Sequence, residues 1–71
     1  MGYNADNVQI AADIDRYVNG RNAERNREIL KRRLIDGITF ERLAEQFDLS
    51  VRQTKTIVYK SSEQLFRRVA Y

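Results

Sequence analysis

At 71 residues the chain has room for one small domain, and its lack of Cys and His excludes disulfide frameworks, zinc fingers and His-based catalysis. Thirteen Lys+Arg against 10 Asp+Glu leave a net charge of only +3. The charge alternates in blocks, −2 over residues 1–20, +3 over 21–38, −2 over 39–49 and +4 over 50–71, so one face can be strongly positive.

Pro is absent and Gly occurs only at Gly2, Gly20 and Gly37, a composition that favours helices punctuated at the last two glycines. Residues 1–5 read as a loose leader. Asp6 and Gln9 have capping-box spacing, so a first helix is expected from Asp6 to about Asn19. Ile10, Ala11, Ile14, Tyr17 and Val18 form its apolar stripe, and Gly20 suits the left-handed position beyond its end. Asn22 is the cap candidate for a second helix reaching Asp36, with Ala23, Ile29, Leu30, Leu34 and Ile35 inward. Its other face is dense in charge, with Arg25, Arg27, Lys31, Arg32 and Arg33, where Glu24 can pair with Arg27 and Glu28 with Arg32. Asp13, Asp15 and Asp36 read as capping or surface charges, and Gly37 as the stop.

Thr39 is the next N-cap candidate, opening a short third helix over about 40–47 that carries Phe40, Leu43, Ala44 and Phe47 inward. Asp48 and Leu49 form a turn. Ser50 then caps a fourth helix, with Gln53 completing an S-x-x-Q capping box. Val51, Thr54, Val58, Ser61, Leu65 and Val69 follow at spacings of three or four, compatible with one helix to about Ala70. A separate fifth helix capped by Ser61 or Ser62 fits the same residues.

The expected fold is therefore all-α, a single domain over 1–71 built as a tri- or tetrahelical bundle with a helix-turn-helix at about 39–60. That motif needs a small residue where two helices approach, and Ala44 supplies it. It needs an apolar plug in the turn, which Leu49 provides, and a sharp restart, which Ser50 provides. Thr54 and Val58 then pack back, leaving the opposite face free for the major groove.

The segment resembles region 4 of bacterial sigma factors and the related LuxR-type helix-turn-helix domains. The resemblance lies in Gly37-Ile38-Thr39, Leu43-Ala44, Phe47, Leu49-Ser50 and Thr54-Lys55, with Val58, Ser61 and Leu65 on the positions that follow. Arg27-Glu28-Ile29-Leu30 is similar to the leading helix of region 4, so the resemblance spans about residues 25–66. Three positions depart from the pattern: Asp48 stands where the turn has Gly, Arg42 where the family has an acid, and Thr54 where it has Val or Ile. The resemblance implies binding to duplex DNA and, in sigma factors, contact with RNA polymerase. Nothing in the chain corresponds to sigma region 2, so a complete sigma factor is not expected.

Helix geometry directs Arg52, Gln53, Lys55, Thr56, Tyr59 and Lys60 toward DNA, in a recognition helix starting at about Val51. Arg52 suits guanine and Gln53 adenine, because their forked groups match those base edges. Lys55 and Lys60 suit phosphates, and Ser50 and Thr39 stand at helix N-termini that attract them. Arg25, Arg32 and Arg33 are a possible extension of the positive surface; a plain solvated face accounts for them equally well.

The expected function is a duplex-DNA-binding transcription regulator, phage- or mobile-element-like in its small size. The alternative is an interaction module that docks on RNA polymerase or another regulator. Such regulators usually dimerise. Phe66, with no inward role if Leu65 and Val69 face the core, is the leading candidate contact. Tyr3 and Tyr71, at the termini, hint at a dimer contact if ordered. An enzyme is not expected, since no phosphate-cradling Gly loop is present and no base can activate Ser50. No cofactor or metal is expected either. No apolar run approaches the roughly 20 residues of a membrane span and no signal-peptide pattern opens the chain, so a cytoplasmic protein is expected.

Overall fold

Apolar residues repeated at helical spacing, with a stop signal after each run, produce four helices. In the computed structural model, which describes residues 5–69 (Ala5 and Asp6 by backbone alone), these are α1 (Ala5–Tyr17), α2 (Ala23–Leu34), α3 (Phe40–Gln46) and α4 (Val51–Arg68). The protein is a small all-α bundle with no strand among the described residues. The leader up to residue 4, Tyr3, Ala70 and Tyr71 lie outside the described residues.

The stripe of α1 buries Ile14 fully, and Val18, just past the helix end, is also buried. The start of α1 differs from expectation. The chain is already helical at Ala5, so Asp6 is not the N-cap. The Gln9 amide donates forward to Asp13 Oδ1 at 3.0 Å instead of closing a capping box. Asp13 is buried rather than a surface charge. The helix ends at Tyr17, two residues early, and Gly20 takes the left-handed conformation with φ +103°.

Asn22 stands at the N-cap of α2 but in the left-handed region, φ 59°, and its side chain makes no capping bond. A side-chain cap requires extended backbone at this position, which turns the side-chain oxygen toward the N2 and N3 amides. α2 ends at Leu34, short of the expected Asp36. Gly37 at φ +69° reverses the chain, and Ile38 N–H donates back to the Arg32 carbonyl at 3.1 Å. Leu34, expected inward, is 39% exposed. At 3.6 residues per turn it lies about 90° from the line midway between Ile29 and Leu30, which are both fully buried. Glu28 and Arg32 pair as expected, 3.1 Å apart. Arg27 does not join Glu24: its Nε donates to the Val18 carbonyl at 2.6 Å and its Nη2 to Asn19 Oδ1 at 2.8 Å. That guanidinium caps the carbonyl end of α1 and pins it to α2. Lys31 adds a 2.7 Å ion pair to Asp15.

α4 is one continuous helix and touches all three others. Thr54, Val58, Ser61 and Leu65 are its buried line. Ser61 lies mid-helix at 4% exposure, so it serves as a small residue at a close approach and not as the cap of a fifth helix. The helix stops at Val69, whose backbone is extended. The core is Ile14, Val18, Ile29, Leu30, Leu43, Val58 and Leu65, flanked by the half-buried Ile10, Tyr17, Phe40, Phe47, Leu49 and Val69 among others. The Cα radius of gyration, 11.7 Å, is near the roughly 11 Å expected of a packed chain this long. No helix among the described residues is long and apolar enough to cross a membrane.

Candidate nucleic-acid interface

α3 and α4 are joined by four residues, Phe47 to Ser50, and the joint is built from local hydrogen bonds. Thr39, in extended backbone, accepts the Arg42 N–H at 3.2 Å and starts α3. At the far end Leu49 N–H donates to the Ala44 carbonyl at 2.8 Å and Asp48 N–H to the Glu45 carbonyl at 3.4 Å. This double closure is a Schellman motif with Asp48 at the left-handed position, φ 56°. Asp48 thus adopts a conformation that Gly usually provides at a helix end. Leu49 then turns onto the core.

Ser50 starts α4 with a complete capping box. Its Oγ accepts the Gln53 N–H at 3.0 Å, and its own N–H donates to Gln53 Oε1 at 2.9 Å. Thr54, fully buried in place of an aliphatic residue, returns its hydroxyl to the Ser50 carbonyl at 2.9 Å. The polar atom is satisfied within the helix and the methyl is left for the core. Leu43, Ala44 and Val58 are buried where the two-helix packing requires.

The side of α4 away from the core carries Arg52, Gln53, Lys55, Thr56, Tyr59 and Lys60, and all six are exposed. Helical geometry sets them within an arc of about 160°. No Asp or Glu occurs between Asp48 and Glu63, so this arc holds three cations and no counter-charge of its own. The side chains of Arg52 and Lys60 have no hydrogen-bond or ion-pair partner among the described residues.

Two of the expected roles change with geometry. Because Gln53 Oε1 is held by the Ser50 amide, Gln53 offers only its NH2 outward, and bidentate pairing with adenine would require opening the capping box. The Thr56 hydroxyl donates to the Arg52 carbonyl at 3.0 Å.

The three α2 arginines expected to extend the positive surface, Arg25, Arg32 and Arg33, do not form one patch. Arg32 bonds Glu28 and Gln46 Oε1 and lies over the Phe47 ring at 5.0 Å. Arg33 bonds the Ile38 carbonyl and lies over the Phe40 ring at 4.4 Å. Both guanidiniums bind α2 to α3. Arg25 alone of the three lines the same groove as Arg52, Gln53 and Thr56.

Sequence reasoning missed the outer role of Phe40. Its half-buried ring meets Tyr59 edge-on at 6.1 Å, with Lys55 Nζ 5.7 Å from the ring centre. The packing thereby orders two side chains of the exposed arc. No local signal reveals this, because Phe40 and Tyr59 are neighbours only across the turn.

Comparison with protein-family models, with curated proteins and with solved structures finds no match for this chain.

Proposed function

We propose that the protein is a sequence-specific duplex-DNA-binding transcription regulator, acting in the cytoplasm, with α4 as recognition helix from Val51. The carrying observation is the exposed, carboxylate-free arc of Arg52, Gln53, Lys55, Thr56, Tyr59 and Lys60 on a helix whose opposite side is locked into the core. A major groove about 12 Å wide admits a helix presented in this way. Arg52, unpaired at the first turn, is the base reader, suited to guanine. Lys55 and Lys60 take phosphates. Ser50 supports the reading by fixing where the helix begins.

The test is fluorescence anisotropy with labelled duplexes over a salt series, comparing wild type with the Arg52→Ala/Lys55→Ala double variant. Binding should weaken steeply with salt, and the double variant should lose it. Binding that is absent at low salt, or indifferent to both substitutions, sinks the reading.

One observation favours a second reading, docking on RNA polymerase or another regulator: Tyr59 and Phe66 are 60% and 51% exposed on α4. Exposed aromatic side chains anchor protein contacts as readily as nucleic-acid ones.

A further inference from the structure

Three of the surface grooves differ in charge. The one between α1 and α2 is lined by Glu28 and Asp36 as well as Lys31 and Arg32. The one near the end of α4 includes Glu63 with Lys60, Arg67 and Arg68. The third, about 350 Å³, lies where the start of α2 meets the start of α4. It is lined by Arg25, Leu49, Arg52, Gln53, Thr56 and Ile57, with no carboxylate.

The charged groups of that third groove, Arg25 and Arg52, are both cations. Arg25 bonds only the side-chain oxygen of its neighbour Asn26, through long 3.3 Å contacts. The Arg52 guanidinium has no partner among the described residues. Gln53 has its oxygen tied to Ser50 N–H, so its NH2 remains to donate. The Thr56 hydroxyl gives its proton to the Arg52 carbonyl and keeps only lone pairs to offer. Leu49 and Ile57 supply apolar lining. With Arg52 directed to a base edge, the Arg25 guanidinium and the Gln53 NH2, in a groove lined without a carboxylate, fit a singly charged group with two outward oxygens. A phosphodiester is such a group.

We propose that this groove binds one phosphodiester of duplex DNA, with Arg25 reaching it from outside the helix-turn-helix. The inference rests on the DNA-binding reading above. It assigns Arg25 a backbone-positioning role that Arg32 and Arg33, engaged in holding α2 to α3, do not share.

The experiment is anisotropy over a salt series on two unrelated duplexes with wild type, Arg25→Ala, Arg25→Lys and Arg32→Ala, each checked for native helicity by circular dichroism. Loss of one phosphate contact should make the slope of log K against log salt shallower by about 0.9. We expect Arg25→Ala to show that change on both duplexes alike, Arg25→Lys to keep most of the wild-type slope, and Arg32→Ala to leave it unchanged. If wild type binds but Arg25→Ala retains the full slope, or loses affinity on one duplex only, the phosphate site is overturned while the DNA reading stands. If wild type fails to bind either duplex, both fall. A thermal shift by inorganic phosphate that Arg25→Ala abolishes, without duplex binding, would identify a free-anion site and overturn the assignment to DNA.

Discussion

The joint between α3 and α4 depends on single residues whose backbone states are unusual or capped. Asp48 sits in the left-handed region at φ 56°, where a side chain ordinarily costs about 1–2 kcal/mol. Asp tolerates the region better than branched residues do. Urea unfolding should find Asp48→Gly within about 0.5 kcal/mol of wild type, since relief of strain is offset by the entropy of Gly. Asp48→Val should cost a further 1–2 kcal/mol or so. Equal stability for the two variants would contradict the strained turn. Ser50→Ala removes one half of the capping box and should lower stability by about 1 kcal/mol. An unchanged urea midpoint would mean that solvent replaces the cap without loss.

At the scale of elements, α1 is held differently from the rest. Beyond its apolar contacts, the carbonyl end is gripped by Arg27 on Val18 and Asn19, and by Gln64 Nε2 on the Asn19 carbonyl at 3.2 Å. One α2 residue and one α4 residue therefore close the same helix end. Arg27→Ala should free that end, and α1 amides should then exchange with deuterium sooner than those of α3 and α4. Uniform acceleration across all four helices would instead indicate that Arg27 supports global stability. The surface ion pairs have smaller effects: Arg67 with Glu63 is well exposed and mostly screened.

For the molecule as a whole, one continuous α4 determines which surfaces can meet partners. Its buried line places Leu65 fully inside and leaves Phe66 exposed on the outer side. By helical geometry Phe66 falls in line with Lys55 and Tyr59. We propose Phe66, beyond the last residue of the DNA-facing arc, as a dimer contact. Sedimentation should show a concentration-dependent dimer in wild type that Phe66→Ser shifts to monomer. A wild type that remains monomeric at every concentration removes Phe66 from that role.

The sequence by itself determined the helix count up to Ser50, the N-caps Thr39 and Ser50, the two glycine turns and the exposed arc of α4. Each is encoded by residues within one or two turns of one another, where spacing and capping chemistry decide the outcome. Only the tertiary structure decided that Ser61 is packed rather than capping, because that choice depends on how closely neighbouring helices approach α4. It also decided that Arg27 caps α1, that Arg32 and Arg33 hold α3, and that Arg25 shares a groove with Arg52. These side chains are long and carry several donors, so their partners are chosen by whichever carbonyl, ring or groove the packing brings within reach.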